Sequence, residues 1–185
     1  MSSSEKHVRQ NEMANWTIRE AQESDVDKML ELRLALREHM EKRNSRFWRL
    51  SDRGREEIRK QLTQIFPDAD AIAFVAQDES GNLVGMITGR VDTNDRCVPS
   101  TTGSIGLLFV SESWRRRGIG TKLVRKLCQF FASRNIEIIS VGYVVENEEA
   151  VQFWSKLGFQ PVIITASNNL HNLEQKIAGK GGDNV

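Results

Sequence analysis

Hydrophobic positions along the chain recur with two periods. Val26, Met29, Leu30 and Leu34 repeat at helical spacing and predict a helix running to about His39. Ser24-Asp25-Val26-Asp27 ahead of them resembles a capping box, with a side-chain acceptor for the open amides of a first turn. Ile58, Leu62, Ile65 and Phe66 predict a second helix, stopped by Pro67. Ile119, Leu123, Val124, Leu127, Phe130 and Phe131 predict a third, Asn147 to Lys156 a fourth, and Leu170 to Ile177 one more short helix. Strands are predicted at Trp16 to Arg19, Ala71 to Gln77, Leu83 to Val91, Ser104 to Val110, Ile136 to Val144 and Phe159 to Thr165. Glu79-Ser80-Gly81-Asn82 turns the second of these into the third as a hairpin. Ser104 to Val110 is almost continuously apolar and reads as a central strand. A hairpin mixed with strand–helix–strand crossovers implies an α/β (α+β) fold: a mixed sheet of about six to seven strands with helices on both faces.

Length and composition narrow the setting. The chain has 185 residues, enough for one domain with a real core. We read residues 16–177 as that domain, with polar tails at 1–15 and 178–185. The first tail lacks the apolar stretch of a secretory signal, and no run is long enough to span a bilayer. Net charge is +1, so no global field argues for nucleic acid or an anionic membrane as partner. Cys97 and Cys128 lack metal-ligand spacing, and reduced thiols in a cytoplasmic protein are the simplest expectation. Cys128 falls in the apolar pattern of its helix and reads as core. No Asp/Glu/His/Cys cluster has the spacing of a metal site, so no metal is expected.

One segment carries chemistry. Arg115-Arg116-Arg117-Gly118-Ile119-Gly120-Thr121 lies between the central strand and a long helix. The first amides of a helix have no intrahelical partner, carry partial positive charge and point out of its end. Glycine lets a ligand approach that backbone closely, so a diphosphate can be held by main-chain donors. No ordinary side-chain cap precedes this helix, as suits a site where the ligand supplies the acceptors. The three arginines add charge suited to phosphate oxygens. The same residues also suit a basic turn with glycines for packing. The segment has neither the Lys-Ser/Thr pair of a P-loop nor the full glycine pattern of a dinucleotide fold.

Here the sequence resembles the GNAT superfamily of acetyl-CoA-dependent N-acetyltransferases. Arg115 to Gly120 matches its Arg/Gln-x-x-Gly-x-Gly/Ala motif at every defined position. A second motif follows in register as Asn147-Glu148-Glu149-Ala150-Val151-Gln152-Phe153-Trp154-Ser155-Lys156-Leu157-Gly158-Phe159. Ile18-Arg19-Glu20-Ala21 with Asp25 is a weaker match to the family's first strand and helix start. The resemblance implies a mostly antiparallel sheet whose fourth strand bulges and splays from the fifth. The pantetheine arm of acetyl-CoA would lie in that gap against Phe109 and Val110. Its pyrophosphate would sit on the amides of Arg115, Arg116, Arg117, Gly118, Ile119, Gly120 and Thr121. Asn147 would approach the arm and Phe153 would pack near it. Asn147 is equally a good N-cap, and Gly158 a helix terminator. A homodimer is common in such proteins.

Direct acetyl transfer needs a neutral amine, donors for the thioester oxygen and a proton for the leaving thiolate. The Val110 amide is the candidate oxyanion donor. The proton carriers are less evident. Trp154 stands where many family members have a tyrosine, and the matching strand segment, Ser104 to Leu108, has no carboxylate. Tyr143, Glu112 and Glu146 are the remaining candidates. Lys42 to Leu50 mixes cations with Phe47 and Trp48, which favours a small amine carrying a carboxylate or phosphate over a polyamine. The expected function is therefore transfer of acetyl to a primary amine of a small molecule or peptide. The alternative is a non-catalytic acyl-CoA-binding module.

Overall fold

The computed structural model describes residues 15–42 and 48–178. The tails, and Arg43 to Phe47 of the basic aromatic loop, lie outside the described residues apart from Asn15 and Ala178. The chain divides into two compact units, Met1–Gly142 and Tyr143–Val185.

In the first unit the period-two segments form one five-stranded sheet in the order β1-β2-β3-β4-β5. The strands are β1 (Trp16–Glu20), β2 (Ala71–Asp78), β3 (Leu83–Thr93), β4 (Thr101–Val110) and β5 (Ile139–Val141). β1 to β4 pair antiparallel and β5 joins β4 in parallel. The helices are α1 (Val26–Glu41), α2 (Gly54–Thr63) and α3 (Ile119–Ala132). Met29, Leu30, Ile58 and Leu62 of α1 and α2 are buried with Val75, Met86, Leu107 and Phe109 of the sheet. α3 covers the opposite face with Ile119, Leu123, Val124, Leu127 and Phe131. A Cβ on Gly89 would stand 2.4 Å from Leu127, and one on Gly103 would stand 2.9 Å from Phe131. These two glycines set how closely α3 approaches the sheet.

The entry to α1 is fastened electrostatically. Asp25 is 5% exposed. Its carboxylate accepts from both terminal nitrogens of Arg19, at 2.6 and 2.9 Å, and from the Gln22 amide at 2.8 Å. The box thus sits two residues earlier than Ser24, around Gln22 and Asp25. Arg19 first, and then the capping amide of Gln22, hold the Asp25 carboxyl below its usual range against the opposing effect of burial.

Three expectations are corrected. The sheet has five strands, not six to seven, because 159–165 forms no strand. Its apolar, β-branched run has strand propensity, but propensity acts only through a paired neighbour. Val162, Ile163 and Ile164 are instead exposed, and Pro161 has no amide to give a ladder. β5 shrinks from the predicted 136–144 to three residues. Cys128, read as core, stands on the exposed side of α3.

The second unit holds α4 (Glu148–Lys156) and α5 (Leu170–Ala178). Asn147 caps α4, accepting from the Ala150 amide at 3.3 Å. Gly158, at φ 87°, ends it, and the Phe159 amide returns to the Trp154 carbonyl.

Candidate active site

Within the first unit, the site grows out of a single surplus residue in β4. Thr88 of β3 lies opposite Leu107, but Gly89 lies opposite Ile105, so Gly106 is a bulge with no partner. Before the bulge, the Gly103 amide donates toward β5, to the Ile138 carbonyl. After it, the Ser111 amide donates the other way, to Val84 of β3. Backbone groups alternate edges along a strand, so past the bulge Phe109 faces β3 while Leu108 and Val110 face the β5 side. Side chains swap faces at the same point: Gly103 faces α3, whereas Leu107 and Phe109 join the α1–α2 core.

β5 pairs only with Gly103, Ser104 and Ile105. Beyond Ile105, no described strand lies along that edge of β4. The amides of Leu108 and Val110 are therefore presented at an open edge.

β4 runs into a 3-10 turn, Glu112–Trp114, and then the arginine loop. Gly118 is the N-cap of α3, at φ 78° and ψ 0°, with no side-chain cap. That left-handed conformation costs a residue with a Cβ about 1–2 kcal/mol. An added Cβ would meet nothing within 4 Å, so the space before the Gly118 backbone is open. Among the described residues, none of the amides from Arg116 to Thr121 donates to a protein acceptor; the first bond of the helix is Lys122 to the Gly118 carbonyl. The first amides of this 14-residue helix, from Ile119 to Thr121, thus lie without intrahelical partners at its positive end.

The three arginines have different settings. Arg115 Nε donates to the Val110 carbonyl at 3.1 Å, tying the loop to the end of β4. The Arg117 guanidinium lies 4.8 Å from the Trp114 ring centre. Arg116, at φ 62°, is exposed. The loop's chemistry rests on its backbone, with Arg115 positioning that backbone.

The structure thus brings Phe109, Val110, Glu112 and the 115–121 loop together in one stretch of the first unit. Of the two β4 residues named from sequence, Val110 turns its amide to the open edge and Phe109 gives its backbone to β3. Leu108 and Trp114 are the members sequence reasoning missed; an almost uniformly apolar strand carries no signal of a parity change. Glu112 is exposed.

Tyr143, Glu146, Asn147 and Phe153 belong to the second unit. Tyr143 is half-buried and lies past the end of β5, not on it. Glu146 is exposed. The side-chain oxygen of Asn147 serves as the α4 cap. Trp154 is buried and makes edge contacts with Phe153 and Phe159, at 5.0 and 5.2 Å between ring centres. The indole at the family's tyrosine position is a core ring here. Among the described residues, no group of three or more His, Cys, Asp or Glu side chains stands where a metal ion could be held.

The sequence profile of the acetyltransferase (GNAT) family matches residues 12–159. An uncharacterized N-acetyltransferase of Methanocaldococcus jannaschii is 29% identical over 91 residues, which is 49% of this chain and 40% of that protein. The match thus spans less than half of that relative. Among solved structures, a Bacillus halodurans protein crystallised as a tetramutant superposes with a TM-score of 0.72 at 20% identity, covering 83% of this chain and 99% of that one. An aminoglycoside N-acetyltransferase in complex with CoA superposes with a TM-score of 0.67 at 16% identity, covering 84% and 94%. At these identities the two structures speak to the fold.

Proposed function

The chain belongs to the acetyltransferase (GNAT) family, and from that premise we propose that it transfers acetyl from acetyl-CoA to a primary amine of a small molecule or peptide, by direct attack with both substrates bound. The observation that carries this reading is the run of unclaimed amides from Arg116 to Thr121, opened by Gly118 and set beside the bare edge of β4. A diphosphate fits such a helix end, since it supplies the acceptors the chain withholds. An extended amide-bearing arm fits an open strand edge, which offers donors and acceptors at regular spacing.

In this reading the residues divide the work. The loop amides hold the pyrophosphate. Leu108 orients the pantetheine arm through its outward backbone groups. The Val110 amide donates to the thioester oxygen as it gains negative charge; one such donor is worth roughly 3–4 kcal/mol of barrier. Holding amine and thioester together replaces an encounter with an oriented attack, a further gain of several kcal/mol. Asn147 and Phe153 are the second-unit candidates for the coenzyme.

β4 has no carboxylate and Trp154 is a core ring, so the dominant contribution assigned here is orientation with oxyanion stabilisation. Glu112, Tyr143 and Glu146 are the candidates for moving the proton. We place the protein in the cytoplasm; exposed Cys97 and Cys128, both free, support that reading.

The test is thiol release from acetyl-CoA by the full chain across a panel of amines, polyamines and peptides. Turnover with at least one class is expected. Tight coenzyme A binding with no turnover across the panel would favour the acyl-CoA-binding module instead.

A further inference from the structure

α1 points one cation where its pattern calls for an apolar side chain. Val26, Met29 and Leu30 define its inner stripe, and the next position at the same spacing is Arg33. Arg33 is half-buried and lines a cavity of about 200 Å3. Gln61 of α2, Thr88 of β3 and the bulged Gly106 of β4 line it too, with Ile58, Leu62, Ile65 and Leu107 as its apolar wall.

Arg33 is exceptional among its neighbours. Arg55 pairs with Glu31 at 2.5 Å, and Arg59 pairs with Asp27, both across the outer α1–α2 seam. Arg37 donates Nε to the Trp48 carbonyl at 3.1 Å. Arg33 alone of these four has no hydrogen bond or ion pair among the described residues. Burial first, and then Arg37, press its pKa below the ordinary arginine value. Neither influence favours the charge, yet a guanidinium stays protonated in proteins. A partly desolvated cation without a counter-charge is costly, and an anion from outside relieves that cost.

We propose that this cavity receives a carboxylate carried by the amine acceptor, with Arg33 as its anchor and Gln61 and Thr88 as polar companions. The proposal rests on the acetyl-transfer reading of the neighbouring site. The volume is below the roughly 300 Å3 at which pockets enclose whole drug-sized ligands, so it suits one end of a substrate. A single unpaired guanidinium matches one carboxylate in a bidentate fork. The geometry also sets a length. Gly106 lies four residues along β4 from Val110, roughly 13 Å at the usual strand rise. The acceptor is accordingly elongated, with several bonds between its carboxylate and its amine.

The experiment titrates the full chain, with and without coenzyme A, with 10-aminodecanoate, whose extended chain matches that length, and with its carboxamide. Wild type is expected to hold the carboxylate at least tenfold more tightly. Arg33→Gln should erase the difference. Gln61→Glu should erase it with Arg33 still in place, because it gives the guanidinium an internal partner. Coenzyme A affinity should be the same in all three, and circular dichroism checks the fold. In turnover, the carboxylate preference should appear in KM rather than kcat. Equal binding of the two probes to wild type, or a gap that survives both substitutions, overturns the assignment. Failure of wild type to bind coenzyme A counts instead against acetyl transfer, so the two readings fail separately.

Discussion

Gly118→Ala separates backbone strain from ligand contact. Gly118 sits at φ 78° with nothing within 4 Å of the Cβ it lacks. Alanine therefore meets no steric clash in the free protein and costs only its left-handed conformation, about 1–2 kcal/mol. The stiffer unfolded chain returns roughly 0.4–1 kcal/mol of that. The net cost is about 1 kcal/mol, or about 2–4 °C in melting temperature for a domain of this size. A coenzyme diphosphate brought within hydrogen-bond reach of the Gly118 and Ile119 amides would collide with the new methyl. Losing one or two charge-assisted bonds, at roughly 1.5–3 kcal/mol each, weakens binding by between about tenfold and about ten-thousandfold. Gly158 supplies the control: φ is 87°, again with nothing within 4 Å, but it ends α4 in the second unit. Gly158→Ala should lose the same stability and leave coenzyme A affinity unchanged. The assays are urea unfolding and calorimetric titration of coenzyme A into each variant. If Gly118→Ala binds as wild type does, or Gly158→Ala loses equally, the diphosphate does not lie on the Gly118 backbone.

Four further outcomes are expected. Val110→Pro removes an amide that faces the open edge without breaking a β3 ladder bond, so kcat should fall about a hundredfold or more with coenzyme A affinity nearly kept; unchanged kcat would remove Val110 as oxyanion donor. Glu112→Gln, Tyr143→Phe and Glu146→Gln should each lower kcat by less than about tenfold, since a true general acid or base contributes about a hundredfold or more, and a larger loss in one would identify the proton carrier. Asp25→Asn should destabilise the chain by about 2–3 kcal/mol near neutral pH by leaving Arg19 without its counter-charge. The folded Asp25 pKa is depressed, so its contribution is present above the ordinary carboxylate value of about 4 and disappears as pH falls through the lower folded value; urea melts of wild type and variant should converge there. Gly89→Ala puts a Cβ 2.4 Å from Leu127 and should cost about 1–3 kcal/mol by overpacking, read as a lower urea midpoint.

What the sequence disclosed follows from what each pattern encodes. The inner faces of α1, α2 and α3 were legible because burial repeats at helical spacing, and the β2–β3 hairpin because its turn residues are explicit. The glycine loop was legible because its backbone needs are local: Gly118 adopts the left-handed conformation that an uncapped helix start with close ligand approach requires. The bulge position was not legible. Ser104 to Val110 is apolar on both sides of Gly106, and a uniform run looks the same before and after a change of parity. The segment 159–165 misled because strand propensity resides in side chains, whereas strand formation needs a partner's backbone. Arg33 was hidden differently: its sign was one cation on an apolar stripe, and stripes are read by counting hydrophobes, which passes over the exception.

Gly106 has a bearing on how this segment tolerates change over generations. Losing a single codon there would let the ladder close without a gap and leave a tidier sheet. Leu107 and Phe109 would keep their faces and Leu108 and Val110 their outward amides, since Thr88 and Gly89 already sit side by side opposite Leu107 and Ile105; what would go is the bend that the surplus residue puts into β4. Substitutions along β4 leave that bend in place, but a change in its residue count does not. A gap placed within Ile105 to Val110 when relatives are superimposed on this chain therefore marks a straightened strand, which no mismatch in the same stretch does.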